Sequence, residues 1–314
     1  NMSDIEITGI TADSRNVREG SVFVCIKGRT ADGHDFARQA ADMGAAAIIA
    51  EHDTGIPQQV IVEDTRRAYA VMCANYFGRP ADRLKLIGVT GTNGKTTVTF
   101  LIKQILEKLG RKSGLIGTIQ NMMGDRVLPA KYTTPDPYEL NSLFSLMLKS
   151  GCEYAVMEVS SQALDQQRVY GLQFEQAIFT NFTQDHLDYH GTLENYFAAK
   201  KMLFSMCGTA IINKDDQKSG ELIDGIKCRV QTYSLKDKSS DFAAENVEIR
   251  ADGVSYDLVH GGASTRITVG LPGRFSVYNS LAAAASACLL GMPAGDVAGA
   301  MSQIGGVKGS MEVV

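Results

Sequence analysis

Short apolar runs, many of them β-branched, alternate along this chain with longer stretches that read as helices, and the alternation is most regular after residue 84. Strands are expected at 84–89, 115–119, 154–159, 177–182 and 210–212, with helices at 98–109, 136–149, 161–169 and 193–206 between them. That βαβα rhythm predicts a mostly parallel sheet with helices on both faces. Over 228–270 the pattern changes. Strands at 247–249, 254–259 and 265–269 are separated by Asp252-Gly253 and Gly261-Gly262, which are hairpin signals, so a smaller antiparallel sheet is expected beside the parallel one. Helices at 277–290, alanine-rich and hence close-packed, and at 295–304 complete this region. Before it lies a small α/β unit, with strands at 21–26, 45–50 and 60–62 and a helix at 35–43. Thr65 is the expected N-cap of a further helix that runs through Phe77 and stops at Gly78-Arg79-Pro80. The fold class is α/β, with a small N-terminal domain over 1–82 and a larger one over 83–306.

Composition narrows the class. A chain of 314 residues is long enough for two cores, and 44% hydrophobic with 21% charged residues is the balance of a soluble globular protein. A net charge of −4 without a basic cluster points away from a nucleic-acid partner. No apolar run reaches 18 residues and the start lacks the features of a signal peptide, so no membrane partner and a cytoplasmic location are expected. The six cysteines are scattered, with no C-x-x-C pair, as in proteins with reduced thiols.

The chemistry starts at the first strand of the larger domain. Between it and the following helix stands Gly91-Thr92-Asn93-Gly94-Lys95-Thr96-Thr97. A glycine-rich loop joining strand to helix lets backbone N–H groups close around phosphate oxygens; Lys95 would reach the outer phosphates and the Thr96 hydroxyl would ligate Mg²⁺. Val89 stands where the strict P-loop pattern has its first glycine, so the loop is a variant. Glu158 ends an apolar strand, where it could face Mg²⁺ or be a solvated strand end. Asp185-His186-Leu187-Asp188-Tyr189-His190 could be a metal or proton-transfer site, or a polar turn before the next helix. By pattern alone, Ala198-Ala199-Lys200-Lys201 reads as a helix with two exposed lysines. In open sheets ligands sit at the carboxyl ends of strands, which gathers the loop, Glu158-Val159-Ser160 and Thr180-Asn181 along one edge.

Several motifs carry a resemblance. TGTNGKTT (90–97), TTPDP (133–137), MEVSSQAL (157–164), FTNFTQDHLDYHGTLENYFAAK (179–200), NKDD (213–216) and LPGRFSVYN (271–279) resemble the Mur ligases, and within them the branch that adds the third residue of the peptidoglycan stem peptide. TADSRNVREGSVFVCIKG (11–28) and ADGHDF (31–36) look like that family's UDP-binding domain. The resemblance implies an ATP-dependent ligase that works on a UDP-N-acetylmuramoyl dipeptide and a diamino acid, lysine or diaminopimelate, through an acyl phosphate, as a monomer. It implies ATP on residues 91–97 with Asn279 near the adenine. Two Mg²⁺ ions are implied on Thr96, Glu158, His186 and a carbamylated Lys200, with Lys95, Lys200 and His186 catalytic. Ser14, Arg29, Thr30 and Ala31 would hold the uridine end, and Thr133, Thr134, Ser160, Gln166 and Arg168 the muramoyl peptide. Tyr132 and Ser310 depart from the family pattern, which commonly has asparagine and arginine there. The segment 307–314 looks like the hinge to a third domain, and without that domain no turnover is expected. Two other readings are a folylpolyglutamate-synthetase-like ligase and a nucleotide-binding switch without catalysis.

Overall fold

Four short strands, β1 (Gly9–Thr11), β2 (Ser21–Val24), β3 (Ala47–Ala50) and β4 (Gln59–Ile61), lie parallel and in chain order to form the first sheet. The computed structural model describes residues 6–305. It divides them between two units: one runs to Pro80 and takes in Pro135–Leu143 and Gln166–Gly171, and the other holds Ala81–Thr134, Phe144–Asp165 and the chain from Leu172 onward. In the first unit, α1 (Ala37–Asp42) and α2 (Thr65–Tyr76) accompany the sheet. Successive residues of β2 serve opposite faces. Val22 and Val24 pack with Ile10, Ile49, Tyr69 and Cys73, while Phe23 joins Cys25, Ile48, Val17 and Ala40. Asp64, not Thr65, caps α2, with its carboxylate accepting from the Arg67 N–H at 3.0 Å. Thr65 is instead buried inside the helix start, and its hydroxyl donates to Glu51 Oε1 at 2.8 Å.

The second unit contains, in chain order, β5 (Lys85–Thr90), α3 (Lys95–Lys108), β6 (Ser113–Ile116), β7 (Gln120–Met123), β8 (Arg126–Pro129), α4 (Pro137–Lys149), β9 (Tyr154–Glu158) and α5 (Ser161–Asp165). The first turns of α4 are counted with the other unit. There follow β10 (Phe174–Phe179), α6 (Leu187–His190), α7 (Leu193–Lys201), β11 (Cys207–Asn213), α8 (Ser219–Asp224) and β12 (Arg229–Ser234). β13 (Phe242–Ile249), β14 (Val254–His260), β15 (Ala263–Val269), α9 (Arg274–Leu289) and α10 (Ala294–Ser302) complete it. All eleven strands share one sheet, in the order β15-β14-β13-β12-β11-β10-β5-β9-β6-β7-β8. The strands from β13 to β6 are parallel, and antiparallel hairpins extend both edges. The expected antiparallel strands thus lie beside the parallel ones by continuing their sheet.

Several elements depart from the sequence pattern. The β7–β8 hairpin turns at Gly124 (φ +56), and its first strand opens on two amide side chains that obscure an apolar pattern; one of them, Asn121, is buried. β12 is polar in sequence and is held as a strand by pairing with β11. The helix expected over 161–169 stops at Asp165, and Gln167 just beyond takes the left-handed φ of +56 that a helix cannot continue through. The core joins Ile87, Val89, Val156, Ile178 and Ile211 of the sheet to Leu101, Ile102 and Ile105 of α3. It includes Ala282, Ala283, Ala284 and Ala285 of α9, all fully buried, where the lack of bulk lets helix and sheet approach closely.

Removing the α2 cap tests the local account. Asp64→Ala should lower stability by about 1 kcal/mol, read as a shifted urea midpoint with an unchanged slope. An unshifted midpoint would return the cap to Thr65.

Candidate active site

Three strand ends meet where the order of the sheet reverses. β5 lies between β10 and β9, and the chain continues from it to both sides of the sheet, the topology in which open α/β sheets form a crevice beyond their carboxyl ends. The loop after β5 needs its glycines. Gly91 has φ +146, and an added Cβ would fall on Thr180 Oγ; Gly94 has φ +88, and its Cβ would lie 2.5 Å from Asn279 Oδ1. The segment after β10 straps the loop in place. Thr92 N–H donates to Asn181 O and Asn93 N–H to Asn181 Oδ1, both at 2.9 Å, while Thr180 Oγ donates to Asn93 O at 2.6 Å. The strap is itself held, since Asn213 at the end of β11 donates to Thr180 O at 2.7 Å. Gly94 begins α3 without a side-chain cap, so the N–H groups of its first turn, including those of Thr96 and the buried Thr97, have the arrangement that binds phosphate.

Two lysines converge on this loop. Lys95 Nζ donates to Gly91 O at 2.9 Å and to Thr92 O at 2.8 Å, and Lys200 Nζ donates to the same Gly91 O at 2.9 Å. Lys200 is only 2% exposed, which corrects the surface position that its helical pattern predicts. Lys201, one position on, points elsewhere and sits 3.9 Å from Glu221. The Lys200 ammonium lies 4.4 Å from the Tyr196 ring centroid, and no carboxylate pairs with it among the described residues. Burial first, and then the nearby Lys95 charge, hold the Lys200 amine well below its ordinary value, with Asp185 opposing them. Burial also lowers Lys95, against Glu158 and Asp185.

Glu158 is the buried carboxylate of the site, 1% exposed. It accepts from Thr96 Oγ at 3.0 Å, from Thr118 N–H at 2.8 Å and from Thr118 Oγ at 3.1 Å. A Cβ on Gly117 would lie 2.5 Å from Glu158 Oε1, so only glycine lets the backbone come this close. Thr118 did not stand out in the sequence; the Gly117-Thr118 pair after a strand, facing a carboxylate across the sheet, is the signal that could have found it. Its hydroxyl also lies 3.0 Å from Thr133 Oγ. Thr134 Oγ donates to Glu158 O at 2.9 Å and accepts from Ser160 N–H at 3.0 Å, while Ser160 Oγ accepts from Ala163 N–H in the first turn of α5. Beside Glu158 and Thr96, a cleft of about 350 Å³, partly open to solvent, is lined by Phe100, Leu115, Ile119 and Gln120.

The remaining candidates are spread more widely. His186 (φ +51) lies against Asp185 at 3.5 Å and the Tyr196 ring at 5.9 Å. His190 turns inward, with Nε2 2.9 Å from Ser161 Oγ and its ring 5.2 Å from the same Tyr196 ring. Asn279 is buried beside Gly94. In the other unit, Ser14 begins a 3-10 turn capped by Asp13, and Arg29, Thr30 and Ala31 are exposed in a loop closed by Gly28 N–H on Ala31 O at 2.9 Å. Gln166 and Arg168 belong to that unit, with the guanidinium on Gln166 Oε1 at 2.8 Å. Tyr132 is exposed, and Ser310 lies outside the described residues.

The side-chain groups on the Glu158 carboxylate are the hydroxyl oxygens of Thr96 and Thr118, the atom type that hard divalent cations take, and among the described residues no three His, Cys, Asp or Glu side chains gather as a metal cluster. The residues therefore fit Mg²⁺ completed by hydroxyls and by ligand oxygens. Comparison with known proteins then decides the family. Residues 89–287 match the Mur ligase middle domain, and 6–75 match the Mur ligase family catalytic domain. The chain belongs to the Mur ligase family. It is 44% identical over 321 residues to UDP-N-acetylmuramoyl-L-alanyl-D-glutamate--2,6-diaminopimelate ligase from Bacillus velezensis, covering 99% of this chain and 65% of that protein. The chain thus spans about two thirds of the length of the curated relatives it matches. A solved structure of a ligase with the same name superposes with a TM-score of 0.88 at 30% identity, over 98% of this chain and 65% of the other. Mycobacterium tuberculosis folylpolyglutamate synthase shares the fold at 18% identity, with a TM-score of 0.63 over 76% of this chain and 63% of that one. Among the described residues of this Mur ligase chain no helix is long and apolar enough to cross a membrane.

The state of Lys200 gives a pH test. Its folded value lies below the unfolded 10.5, so between the two the unfolded chain holds a proton that the folded chain lacks. Stability from this group therefore rises with pH through that window and is lost as pH falls. In carbonate-free buffer, Lys200→Met should be more stable than the parent at neutral pH, and the two urea midpoints should converge as pH approaches 10.5. A variant less stable at every pH would mean that the amine is compensated.

Proposed function

We propose that the protein is a cytoplasmic ATP-dependent amide-forming ligase of peptidoglycan biosynthesis. It adds the third amino acid to UDP-N-acetylmuramoyl-L-alanyl-D-glutamate. The observation that carries this reading is the convergence, within one unit, of the phosphate loop with Lys95, the Glu158 oxygen cluster and the buried Lys200 amine. The printed name of the Bacillus velezensis relative favours meso-diaminopimelate over L-lysine as the added residue. The match over 6–75 favours a UDP-linked substrate over a pterin, and Ser14, Arg29, Thr30 and Ala31 of that region would hold its uridine end. Thr133, Thr134, Ser160, Gln166 and Arg168 would hold its muramoyl peptide.

In this reading the ATP phosphates take the N–H groups of the loop and of the first turn of α3, and Lys95 exchanges the Gly91 and Thr92 carbonyls for the outer phosphates. Asn279, next to Gly94, falls to the adenine end. The dipeptide's free carboxylate attacks the γ-phosphorus in line, the bond to the ADP oxygen breaks, and an acyl phosphate forms. The amine of the incoming amino acid then adds to the acyl carbon, and the tetrahedral intermediate expels phosphate as the nitrogen loses its proton. Thr96, Glu158 and His186 would hold one Mg²⁺ and a carbamylated Lys200 a second; when bound, these ions offset the charge on the transferring phosphoryl group. Thr118 holds the Glu158 carboxylate from two sides and so orients it. Lys200 suits carbamylation because burial and Lys95 favour its neutral amine, the form that takes up CO₂ and releases a proton.

Ligand binding tests the assignment. The UDP-linked dipeptide should raise the melting temperature and a folate should not. Lys95→Ala should raise the ATP Kd by about 10- to 100-fold, the scale of a lost hydrogen bond to a charged group, while leaving the fold intact. Stabilisation by folate alone would favour the pterin ligase, and ATP binding with neither substrate would favour the switch.

With ¹³C-bicarbonate near neutral pH, a carbamate resonance should appear in the parent protein and be missing in Lys200→Ala. Ligation by an enzyme carrying Lys200→Ala should be lost and partly restored by short-chain carboxylic acids. Full activity of that variant would remove Lys200 from the mechanism.

A further inference from the structure

The six cysteines are scattered in sequence, but the fold brings two of them into contact. Cys207 opens β11, and Cys228 stands one residue before β12. These strands are parallel neighbours whose pairing starts at Thr209 and Arg229, so the two cysteines sit diagonally across it. Strand spacing and a one-residue offset put their Cα atoms about 6 Å apart, inside the range that a disulfide spans. Their Sγ atoms are 3.5 Å apart, and each thiol also faces the Phe204 carbonyl, at 3.7 and 3.9 Å. Both are half-buried, as is Cys288, whereas Cys25, Cys73 and Cys152 are buried. Nothing in the ligase reaction uses this pair, which lies at the opposite end of the strands from the phosphate loop. The seven residues of β11, about 20 Å of strand, separate Cys207 from Asn213.

We propose that Cys207 and Cys228 form a reversible intrachain disulfide under hydrogen peroxide, a modification site that staples β11 to β12. One sulfur attacks a peroxide oxygen, the O–O bond breaks, and a sulfenic acid and water result. The second sulfur displaces the sulfenic oxygen, which leaves as water with the second thiol's proton. Two thiols and one peroxide thus give one disulfide and two waters, with two electrons passing from sulfur to oxygen. The bond closes a loop over 207–228 that contains three anchors of the site's surroundings. Asn213 holds Thr180 O, Asp215 accepts from Tyr278 OH and Leu235 N–H, and Asp216 accepts from Phe182 N–H. Closing that loop restricts the unfolded chain and leaves the far strand ends in place.

Intact mass and peptide mapping of the whole protein after peroxide treatment test this. The expected result is a loss of about 2 Da, a linked peptide joining Cys207 to Cys228, and recovery of both thiols with dithiothreitol. The oxidised protein should melt about 5 °C higher than the reduced one. Cys228→Ser should show neither the link nor the higher melting temperature. Complete alkylation of both cysteines after peroxide, a link from either to a different cysteine, or conversion of Cys207 to the sulfonic acid without a link would overturn the proposal.

Discussion

One carbonyl oxygen, that of Gly91, accepts from both the half-buried Lys95 and the buried Lys200 amine, and much of the second unit serves to make that arrangement tenable. Two positive charges this close in a poorly solvated site would repel, and each would lose hydration, which is why the Lys200 amine is held well below its ordinary value. The compensation comes from backbone. A left-handed-side glycine turn aims the Gly91 and Thr92 carbonyls at Lys95, the Tyr196 ring face meets Lys200, and Glu158 and Asp185 supply negative charge from a distance. An anion entering the loop would relieve the repulsion. Uncapped N–H groups at a helix N-terminus beside Lys95 therefore favour an anion before any ligand-specific contact is made.

Rigidity around that point follows from the sheet. β5 is central, with parallel neighbours on both sides, and the strap from Thr180 to Thr183 ties its loop to β10 and, through Asn213, to β11. On the other side, β9 delivers Glu158 to the same edge, where Gly117 and Thr118 close on it from the end of β6. The alanine face of α9 lets the helix that carries Asn279 come close enough to crowd Gly94. Each functional side chain is thus placed by a strand end or a packed helix, and the antiparallel hairpins at the two edges leave the parallel centre undisturbed.

The sequence alone determined the α/β class, the glycine-rich loop between a strand and a helix, the hairpins at Asp252-Gly253 and Gly261-Gly262, and the motifs of the family. These are local: a run of β-branched residues, a glycine forced to positive φ and a following helix each leave their mark within a dozen residues. Only the tertiary structure decided the rest. Lys200 and Lys201 look alike in sequence, and a difference of one helical position puts one under Tyr196 and the other against Glu221. Thr118, an unremarkable threonine, becomes a partner of Glu158 because β6 and β9 pair. β12 has no apolar pattern and is a strand because β11 is beside it. Burial, proton affinity and contact between distant residues depend on which surfaces meet, and a single chain's order of residues does not state that.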